Sequence, residues 1–485
     1  MNRRLDWTGV NATIRIVKEN RESVLNKIRS GQLNAVRVSS SDLADDIIFS
    51  MNKNGVLSSL QAVIPDKRKP NSTIPYKLLL ALSVAAKMKG KRAMTDIPVA
   101  IQDHRLLNEL GYNIIGFDDE DKDIVTEGAL RSLFKKYEHQ SYFTYYNAAV
   151  QEQIIPKLGI SGTQHIVDCT KICVELSNDR YEESEVAVDS KGKRYRGYKV
   201  AAIKTIIGGA GVITDTRFGG MKTHDLPLSE DMIRTTPVLK LGDSLIYDRG
   251  FISRTLLNYL KTSRGVDVYV PLKIKMNSYD EAVEIAKKAK RWIVHPNPKR
   301  TSQKIAYVPN LGIFWRGDNP SENVDFNACV VWDTEAKDPE DEYFVFITTD
   351  LSKTAREIIM TYELRCKIEE VFRQIKDKWK LEDFKSTKIR LITFHIMATL
   401  FGYLFFNLFT MLPEGKKYSR KSLPAVLKNY QPKTLPYFVL YVGGEFGILS
   451  LTEFNRLYAS VEESVRAIID AVTERGYKAQ GLDTS

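Results

Sequence analysis

The sequence has few of the features that mark a secreted, zinc-binding or disulfide-stapled protein. Its 485 residues include four cysteines, Cys169, Cys173, Cys329 and Cys366, and no two of them form a C-x-x-C pair. Cysteine this sparse excludes a disulfide scaffold and predicts reduced thiols in a cytoplasmic protein. The six histidines are scattered, so they give no zinc-ligand spacing with these cysteines.

Targeting and membrane signals are also scarce. The N-terminal stretch MNRRLDWTGVNATIRIVKEN has no apolar core followed by a cleavage site, so no secretory signal peptide is predicted. One uncharged apolar run, ITFHIMATLFGYLFFNLFTML at 392–412, is long enough to span a bilayer. Because no other membrane signal surrounds it, we expect a helix buried between protein layers and no membrane partner.

What is present is an ordinary globular composition with a basic surplus. Hydrophobic residues make up 43% and charged residues 27%, and the length predicts about three domains. Lys and Arg number 71 against 60 Asp and Glu, which gives a formal charge of +11. A basic surplus favours a polyanionic partner such as DNA, because bound phosphates release counterions. A basic protein that binds no nucleic acid remains an alternative at this point.

The pattern changes along the chain from helical to alternating. Residues 1–160 are predicted to be helical. From residue 164, an apolar segment and two β-branched segments that end in glycines predict three successive strands, followed by helix, strand, helix and strand. This order is typical of an α/β layer fold.

Residues 273–350 are predicted to be a β-rich insertion, because short strand candidates follow one another there. Charge is segregated within it: residues 273–316 hold ten basic and three acidic residues, and residues 317–350 hold one basic and ten acidic. One basic face and two unrelated solvated surfaces both fit this pattern. A long helix at about 352–378, the apolar run and a helical tail complete the prediction.

The long helix carries the first candidate site. At 100° per residue, Tyr362, Arg365, Glu369 and Lys376 fall within about 60° of arc. One face therefore presents a phenol, a guanidinium, a carboxylate and an ammonium. The alternative is a solvated face with an intrahelical ion pair between Arg365 and Glu369.

Two aspartates in strand contexts add to this face. Asp168 lies inside the apolar segment HIVDCT, and Asp248 ends the strand SLIYD before a turn. A buried carboxylate is costly unless it is paired or binds a cation, and strand ends are where α/β sheets place ligands. With Glu369, the two aspartates are expected to hold two Mg²⁺ ions, although each could instead be a capping or turn residue.

The spacing Y-x2-R-x3-E-x6-K, formed by Tyr362, Arg365, Glu369 and Lys376, resembles the signature of DDE transposases of the bacterial insertion-sequence-four type. The DCT and YDRGF contexts are similar to the first and second catalytic aspartates of that family, and the β-rich insertion is similar too. The resemblance covers residues 164–412. It implies an RNase H-like catalytic core with a β-rich insertion, preceded by an all-helical N-terminal domain and followed by a helical tail.

The resemblance also implies the activity and the partners. By motif position, Asp168, Asp248 and Glu369 would be catalytic metal ligands, and Tyr362, Arg365 and Lys376 would bind DNA. Two Mg²⁺ ions, replaceable by Mn²⁺, would support cut-and-paste transposition through a hairpin intermediate at terminal inverted repeats. Transposon ends and target duplex DNA would be the partners of a homodimer in the bacterial nucleoid. Trp292 and Trp315, in the basic half of the insertion, are preferred over Trp332 for stacking on a flipped base, although a core position is the stronger expectation for each of them.

The resemblance further implies a domain order. The predicted domains are 1–160 for DNA-end binding, 161–272 and 351–412 for the core, 273–350 for the insertion and 413–485 for a tail that could dimerise. Two alternatives remain: a domesticated, sequence-specific DNA-binding protein, and an RNase H-like nuclease without strand transfer. The intact carboxylates argue against the DNA-binding protein. The nuclease would cut DNA without joining the cut ends, which distinguishes it from a transposase.

Overall fold

The structure of the protein is a computed structural model, and it describes most of the chain. The described residues are 13–15, 18–70, 72, 74–98, 100–101, 103–111, 113–115, 126–189, 191–207, 210–320, 323–419, 421–430 and 436–479. The chain divides into two compact units. One comprises residues 1–142 and 378–485, and the other comprises residues 143–377.

Strands and helices both occur along the described chain, mostly in runs of one kind. The strands are β1 (Thr13–Arg15), β2 (Lys18–Glu19), β3 (Ala35–Ser39), β4 (Asn113–Ile115), β5 (Gln164–Val174), β6 (Glu185–Val188), β7 (Arg194–Ile207), β8 (Ala210–Gly220), β9 (Ser244–Tyr247), β10 (Asp267–Pro271), β11 (Ile293–Val294), β12 (Gln303–Val308), β13 (Asn327–Asp333), β14 (Tyr343–Thr348), β15 (Tyr437–Val442) and β16 (Glu445–Ser450). The helices are α1 (Arg21–Arg29), α2 (Leu43–Lys53), α3 (Val56–Val63), α4 (Tyr76–Met88), α5 (His104–Glu109), α6 (Glu127–Phe134), α7 (Ser141–Ala148), α8 (Ile155–Leu158), α9 (Asp225–Thr235), α10 (Arg254–Asn258), α11 (Asn277–Ala289), α12 (Ala355–Tyr362), α13 (Cys366–Trp379), α14 (Ile389–Met411), α15 (Leu423–Asn429), α16 (Leu451–Ser460) and α17 (Glu463–Ala479).

A ten-stranded mixed sheet organises the unit of residues 143–377. Its order is β11-β12-β13-β14-β10-β9-β5-β7-β6, and β8 also pairs with β7. The β5–β9 and β9–β10 pairs are parallel, whereas the other pairs are antiparallel. The α/β class is therefore confirmed, and the predicted order of strands and helices from β5 to β10 is found with one additional strand, β6, between the first two.

The strands predicted for the insertion continue this sheet. β14 pairs with β10, and β13, β12 and β11 follow outward in antiparallel register. The segment LGIFWR was predicted to be a strand, and this is wrong, because Leu311–Trp315 forms a 3₁₀ turn. The turn follows Asn310, whose φ of 54° bends the chain away from the sheet, as asparagine does more readily than most residues. α11 is a further helix within this segment.

Apolar side chains cover both faces of the sheet. On one face, buried residues from β5, β7, β9 and β10 pack with those of α9, α10 and α11. On the other, α12 packs on the outer strands, where Ile358 and Ile359 lie against Ile305 and Val331. β-branched residues at alternate positions suit such a pleated surface. The packing of α12 fixes the position from which α13 begins.

In the unit of residues 1–142 and 378–485, α14 is the central helix. It is apolar on all sides, and 21 of its 23 residues are buried. It packs against α2, α4 and α6 of the same unit. Gly402 allows close approach, since an added Cβ would lie 2.8 Å from Cζ3 of Trp379. The prediction of a buried helix for this apolar run is confirmed, although by length and composition alone α14 could cross a membrane.

The prediction of an all-helical first region and a helical tail is wrong. β3 pairs in antiparallel register with β15, and β15 pairs with β16. The four-stranded sheet formed with β2 therefore draws strands from both regions. These strands were not predicted, because most of the sequence around them has helical spacing. The turn between β15 and β16 places Gly443 and Gly444 at φ values of 56° and 85°, a conformation that favours glycine.

Candidate active site

Asp168 lies in the middle of β5, between residues that face the core. Its side chain is 16% exposed, and Oδ1 accepts a hydrogen bond from the backbone N–H of Cys169 at 2.8 Å. Burial raises the pKa of Asp168 from 3.8 to about 6. The Cys169 N–H and the Arg365 charge oppose this rise, whereas the carboxylates of Asp248 and Glu369 add to it. Asp168 is thus a buried acid with two further acids near it.

Asp248 follows β9 directly, beside Asp168. β9 is parallel to β5, with Val167 opposite Tyr247, so the two aspartates occupy the next position on neighbouring strands. Oδ1 of Asp248 accepts a hydrogen bond from the N–H of Arg249 at 2.7 Å and caps a short 3₁₀ turn. The prediction that the two strand aspartates come together at the sheet agrees with this register.

Glu369 lies in the first turn of α13 and is linked to Asp168 through Arg365. The Arg365 guanidinium donates from Nη1 to Oδ2 of Asp168 at 3.1 Å and from Nη2 to Oε1 of Glu369. The Arg365 side chain is 20% exposed, and that of Glu369 is 53% exposed. One arginine therefore bridges a carboxylate of the sheet and a carboxylate of the helix.

Two lysines attach α13 to the sheet. Nζ of the buried Lys204, on β7, donates to the backbone oxygen of Lys367 at 3.0 Å. Burial lowers the pKa of Lys204 from 10.5 to about 8. From the other direction, Nζ of Lys376 donates to the backbone oxygen of Lys171, on β5, at 2.6 Å. These bonds hold the helix that carries Glu369 along the strand that carries Asp168.

The predicted long helix is interrupted where the site begins. Residues Glu363–Arg365 form a 3₁₀ turn between α12 and α13, so the helical wheel drawn from Tyr362 does not apply without a break. Arg365 and Glu369 nevertheless share a face, as their contact demonstrates. Burial raises the pKa of Tyr362 to about 12, and its ring lies 4.6 Å from that of Phe346.

A cleft of about 780 Å³ opens beside Glu369, and we call it the Glu369 cleft. Tyr362, Arg365 and Glu369 line one part of it. His295, Arg300 and the 37%-exposed Phe344 line another part. Sequence reasoning missed this second group, because its members lie far apart in the chain and no motif joins them.

The two predicted stacking tryptophans pack elsewhere. Trp292 and Trp315 are partly buried against the core of the sheet. Trp292 lies 5.3 Å from Trp332 between ring centroids, and Trp315 lies 6.0 Å from Phe326. Neither tryptophan lines the Glu369 cleft, whereas Phe344 does.

The donor types of this site fit a hard divalent cation. Among the described residues, no three His, Cys, Asp or Glu side chains lie close enough together to hold a metal ion. Arg365 is the cation that Asp168 and Glu369 share instead. All three acids offer the oxygen ligands that Mg²⁺ prefers. The charges of Asp248 and Glu369 raise the pKa of Asp168, and this excess of negative charge is what a divalent cation would neutralise.

Comparison with known proteins points to the same part of the chain. Residues 166–405 match the family model described as a transposase DDE domain. A search of curated proteins finds no match. Among solved structures, the chain is similar to a piggyBac transposase synaptic complex with hairpin DNA, determined by cryo-electron microscopy. That similarity has 12% identity, covers 89% of this chain and 84% of the other, and has a TM-score of 0.40. The matched range of the family model contains Asp168, Asp248 and Glu369.

Proposed function

We propose that this chain, which is a DDE-type DNA transposase, moves an insertion sequence of the insertion-sequence-four type by cut-and-paste transposition. The observation that carries the proposal is the placement of the three acids. Asp168 and the position before Asp248 lie on paired parallel strands, and Arg365 links Asp168 to Glu369. An arrangement of this kind brings acids from two strands and a helix to one place on the sheet.

The proposed catalytic core is RNase H-like. Its support is the strand order β8-β7-β5-β9-β10, in which the first three strands are antiparallel and the last three are parallel. Asp168 lies on the central strand of this set. α13, which carries Glu369, lies along the same strand, because Lys376 donates a hydrogen bond to the backbone of β5.

We propose that Asp168, Asp248 and Glu369 hold two Mg²⁺ ions, for which Mn²⁺ would substitute. Such ions activate an attacking oxygen and stabilise a leaving oxygen in phosphoryl transfer. Bound cations would compete with Arg365 for the carboxylates of Asp168 and Glu369, which it contacts in their absence. A released guanidinium suits a phosphate, which it meets in forked geometry.

The signature residues are proposed to hold the transposon end. Arg365 and Tyr362 line the Glu369 cleft, where a DNA strand would place its phosphates next to the acids. Lys376 would contribute charge from α13 in addition to its bond with the sheet. Trp292 and Trp315 remain the proposed candidates for stacking on an unpaired base, a role that requires each ring to become more exposed than its present packing allows.

In the proposed reaction, phosphorus exchanges one oxygen partner for another. Water attacks the phosphodiester at the transposon end, a new P–O bond forms and the P–O3′ bond breaks, and the departing 3′-oxygen takes a proton. The freed 3′-hydroxyl then attacks a phosphodiester of the opposite strand and loses its proton. The P–O3′ bond of that strand breaks, the departing 3′-oxygen takes up a proton and leaves with the flanking DNA, and the resulting hairpin is opened by a second hydrolysis. Phe344, at the outer part of the cleft, and Tyr362, at the acids, would border the path of the cut strand.

The remaining parts of the chain receive roles by position. Residues 1–160 are proposed to recognise the inverted repeats, and residues 413–485 to support a homodimer in the synaptic complex. Double-stranded transposon ends and target DNA are the proposed partners, in a bacterial cytoplasm with nucleoid association. The basic surplus of the chain supports this choice of partner.

The proposal is tested on linear DNA carrying the inverted repeats that flank the reading frame. We expect the wild type to cut these ends with Mg²⁺ and not with EDTA, and to leave hairpinned ends on denaturing gels. Glu369→Gln should abolish cutting and keep end binding. Glu370→Gln is the matched control, because Glu370 pairs with Arg373 and lies outside the bridge to Asp168.

Three other outcomes would contradict parts of the proposal. Specific end binding without any cutting would indicate the domesticated DNA-binding protein. Cutting without joining to a target would indicate a nuclease without strand transfer. Cutting and joining without hairpins would keep the acids in their roles and remove the hairpin intermediate.

A further inference from the structure

A second cleft is lined by Asp248 and not by Glu369, and we call it the Asp248 cleft. It has a volume of about 470 Å³, and Asp248 forms part of its lining. Arg249, Lys273 and Lys275 line it together with Glu340. The parallel register of β9 and β10 explains why these cations meet there. Arg249 follows β9, the two lysines follow β10, and the carboxyl ends of both strands lie at one edge of the sheet.

The three cations of the Asp248 cleft are available for an anion. All three residues are exposed, and none of their side chains forms an ion pair within the described part of the chain. By contrast, Arg234 and Lys261 of the same unit are paired with carboxylates. The lining carries three positive charges against the two negative charges of Asp248 and Glu340. Once Asp248 binds a cation, the cleft is strongly positive and suits phosphate groups.

Each cleft has one of the acids in its lining. Glu369 lines the Glu369 cleft and Asp248 lines the Asp248 cleft, and the two linings share no residue. Both acids lie close enough to Asp168 to act on its charge, so the two clefts meet the same group of acids. Strand transfer requires two DNA strands at one set of acids, the cut transposon end and the target. The signature residues Tyr362 and Arg365 lie in the Glu369 cleft, whereas the Asp248 cleft presents three cations next to another of the acids and therefore suits the target.

We infer that the Asp248 cleft binds the phosphates of target DNA, with Lys273 and Lys275 holding the backbone next to the phosphodiester that is attacked. This inference rests on the proposed function. In the step concerned, the 3′-oxygen of the cut end forms a bond to the target phosphorus and loses its proton. The target P–O3′ bond breaks, and the departing 3′-oxygen takes up a proton, so one phosphodiester replaces another.

The test separates joining from cutting. A Lys273→Ala/Lys275→Ala double variant is given precut transposon ends with a supercoiled plasmid as target, and uncut ends in a parallel reaction. The ratio of joined to cut ends should fall roughly tenfold relative to the wild type at 150 mM salt. For capture of plasmid by the preassembled end complex, the slope of log affinity against log salt should fall by about two, one for each lysine.

The matched control removes equal charge outside both clefts. Lys287→Ala/Lys288→Ala lies on α11 of the same unit, and neither residue lines either cleft. It should leave the ratio of joined to cut ends at the wild-type value. An unchanged ratio in the Lys273/Lys275 variant would overturn the inference. A parallel loss of end binding, cutting and joining would also overturn it, because the cleft would then serve the transposon end. Failure of the wild type to cut would instead contradict the proposed function.

Discussion

Replacing Asp168 with asparagine is expected to stabilise the metal-free protein at alkaline pH while removing its activity. Asparagine has the shape of the neutral acid and no charge. In the folded protein, burial raises the pKa of Asp168 from 3.8 to about 6, so the ionised form is the costly one. A carboxyl with a raised folded-state pKa contributes stability that is complete below pH 3.8 and is lost as the pH rises through about 6.

The size of the effect follows from the shift. Each pKa unit corresponds to about 1.36 kcal/mol, so the raised pKa lowers the free energy of unfolding by roughly 3 kcal/mol at pH 8, where Asp168 is ionised in both states. At pH 4.5 the loss is roughly 1 kcal/mol, because there the carboxyl takes up a proton on folding. Because the side chain is 16% exposed, solvent screens little of this cost. Asp168→Asn should therefore unfold at a higher urea concentration than the wild type, with a much larger difference at pH 8 than at pH 4.5.

The measurement is urea unfolding of both proteins in EDTA at the two pH values. Asp231→Asn is the control, because Asp231 is on α9 of the same unit and its side chain is 78% exposed. This control should differ little from the wild type. Adding Mg²⁺ should stabilise the wild type and reduce the difference in urea midpoint between the wild type and Asp168→Asn. The reasoning would be refuted if Asp168→Asn were less stable than the wild type at pH 8. It would also be refuted if the difference in urea midpoint between the two proteins were the same at both pH values.

Three further perturbations test other parts of the account. Arg365→Ala should weaken binding of transposon ends about tenfold and lower the slope of log affinity against log salt concentration by about one. Gel shifts over a salt series measure both, and an unchanged slope would contradict a phosphate contact by Arg365. Gly197→Ala should prevent stable folding of its unit, because the added Cβ would lie 1.9 Å from the Ile172 oxygen of β5 at a φ of +147°, and soluble wild-type-like protein would disprove this packing. Gly402→Ala should cost about 1–3 kcal/mol in urea unfolding by crowding Trp379, and end cutting at a permissive temperature should survive.

Much of the fold around the acids could be predicted because its signals are local. β5 is an apolar run, β7 and β8 are β-branched runs that end near glycines, and each forms where the pattern indicates. Asp168 and Asp248 were expected at the sheet because each belongs to a strand context. Their adjacency required only that the two strands be parallel neighbours, which an intervening helix permits.

Other features depend on contacts that no local pattern contains. β15 and β16 carry a recognisable signal, two apolar runs joined by Gly443 and Gly444. Their partner β3 lies about four hundred residues earlier, so the sheet joining both ends of the chain could not be read from either end. The break at Glu363–Arg365 was missed because its residues are good helix formers.

The candidate site illustrates the same division. The spacing of Arg365 and Glu369 predicted a shared helix face, and their contact confirms it. Nothing in the spacing indicates that Arg365 also reaches Asp168, 197 residues earlier in the chain. The Asp248 cleft likewise depends on the register of β9 and β10, which places Lys273 and Lys275 beside Asp248. The predicted domain boundaries and the roles of the site residues remain predictions.

The central claim is that Asp168, Asp248 and Glu369 bind the catalytic metal ions, and exchange of a ligand atom tests it most directly. Asp248→Cys replaces a hard oxygen ligand with a soft sulfur, which Mg²⁺ binds poorly and Mn²⁺ tolerates better. End cutting by the variant should be lost with Mg²⁺ and restored with Mn²⁺, while the wild type cuts with both. Cutting by Asp248→Cys at the wild-type rate in Mg²⁺ would contradict the claim.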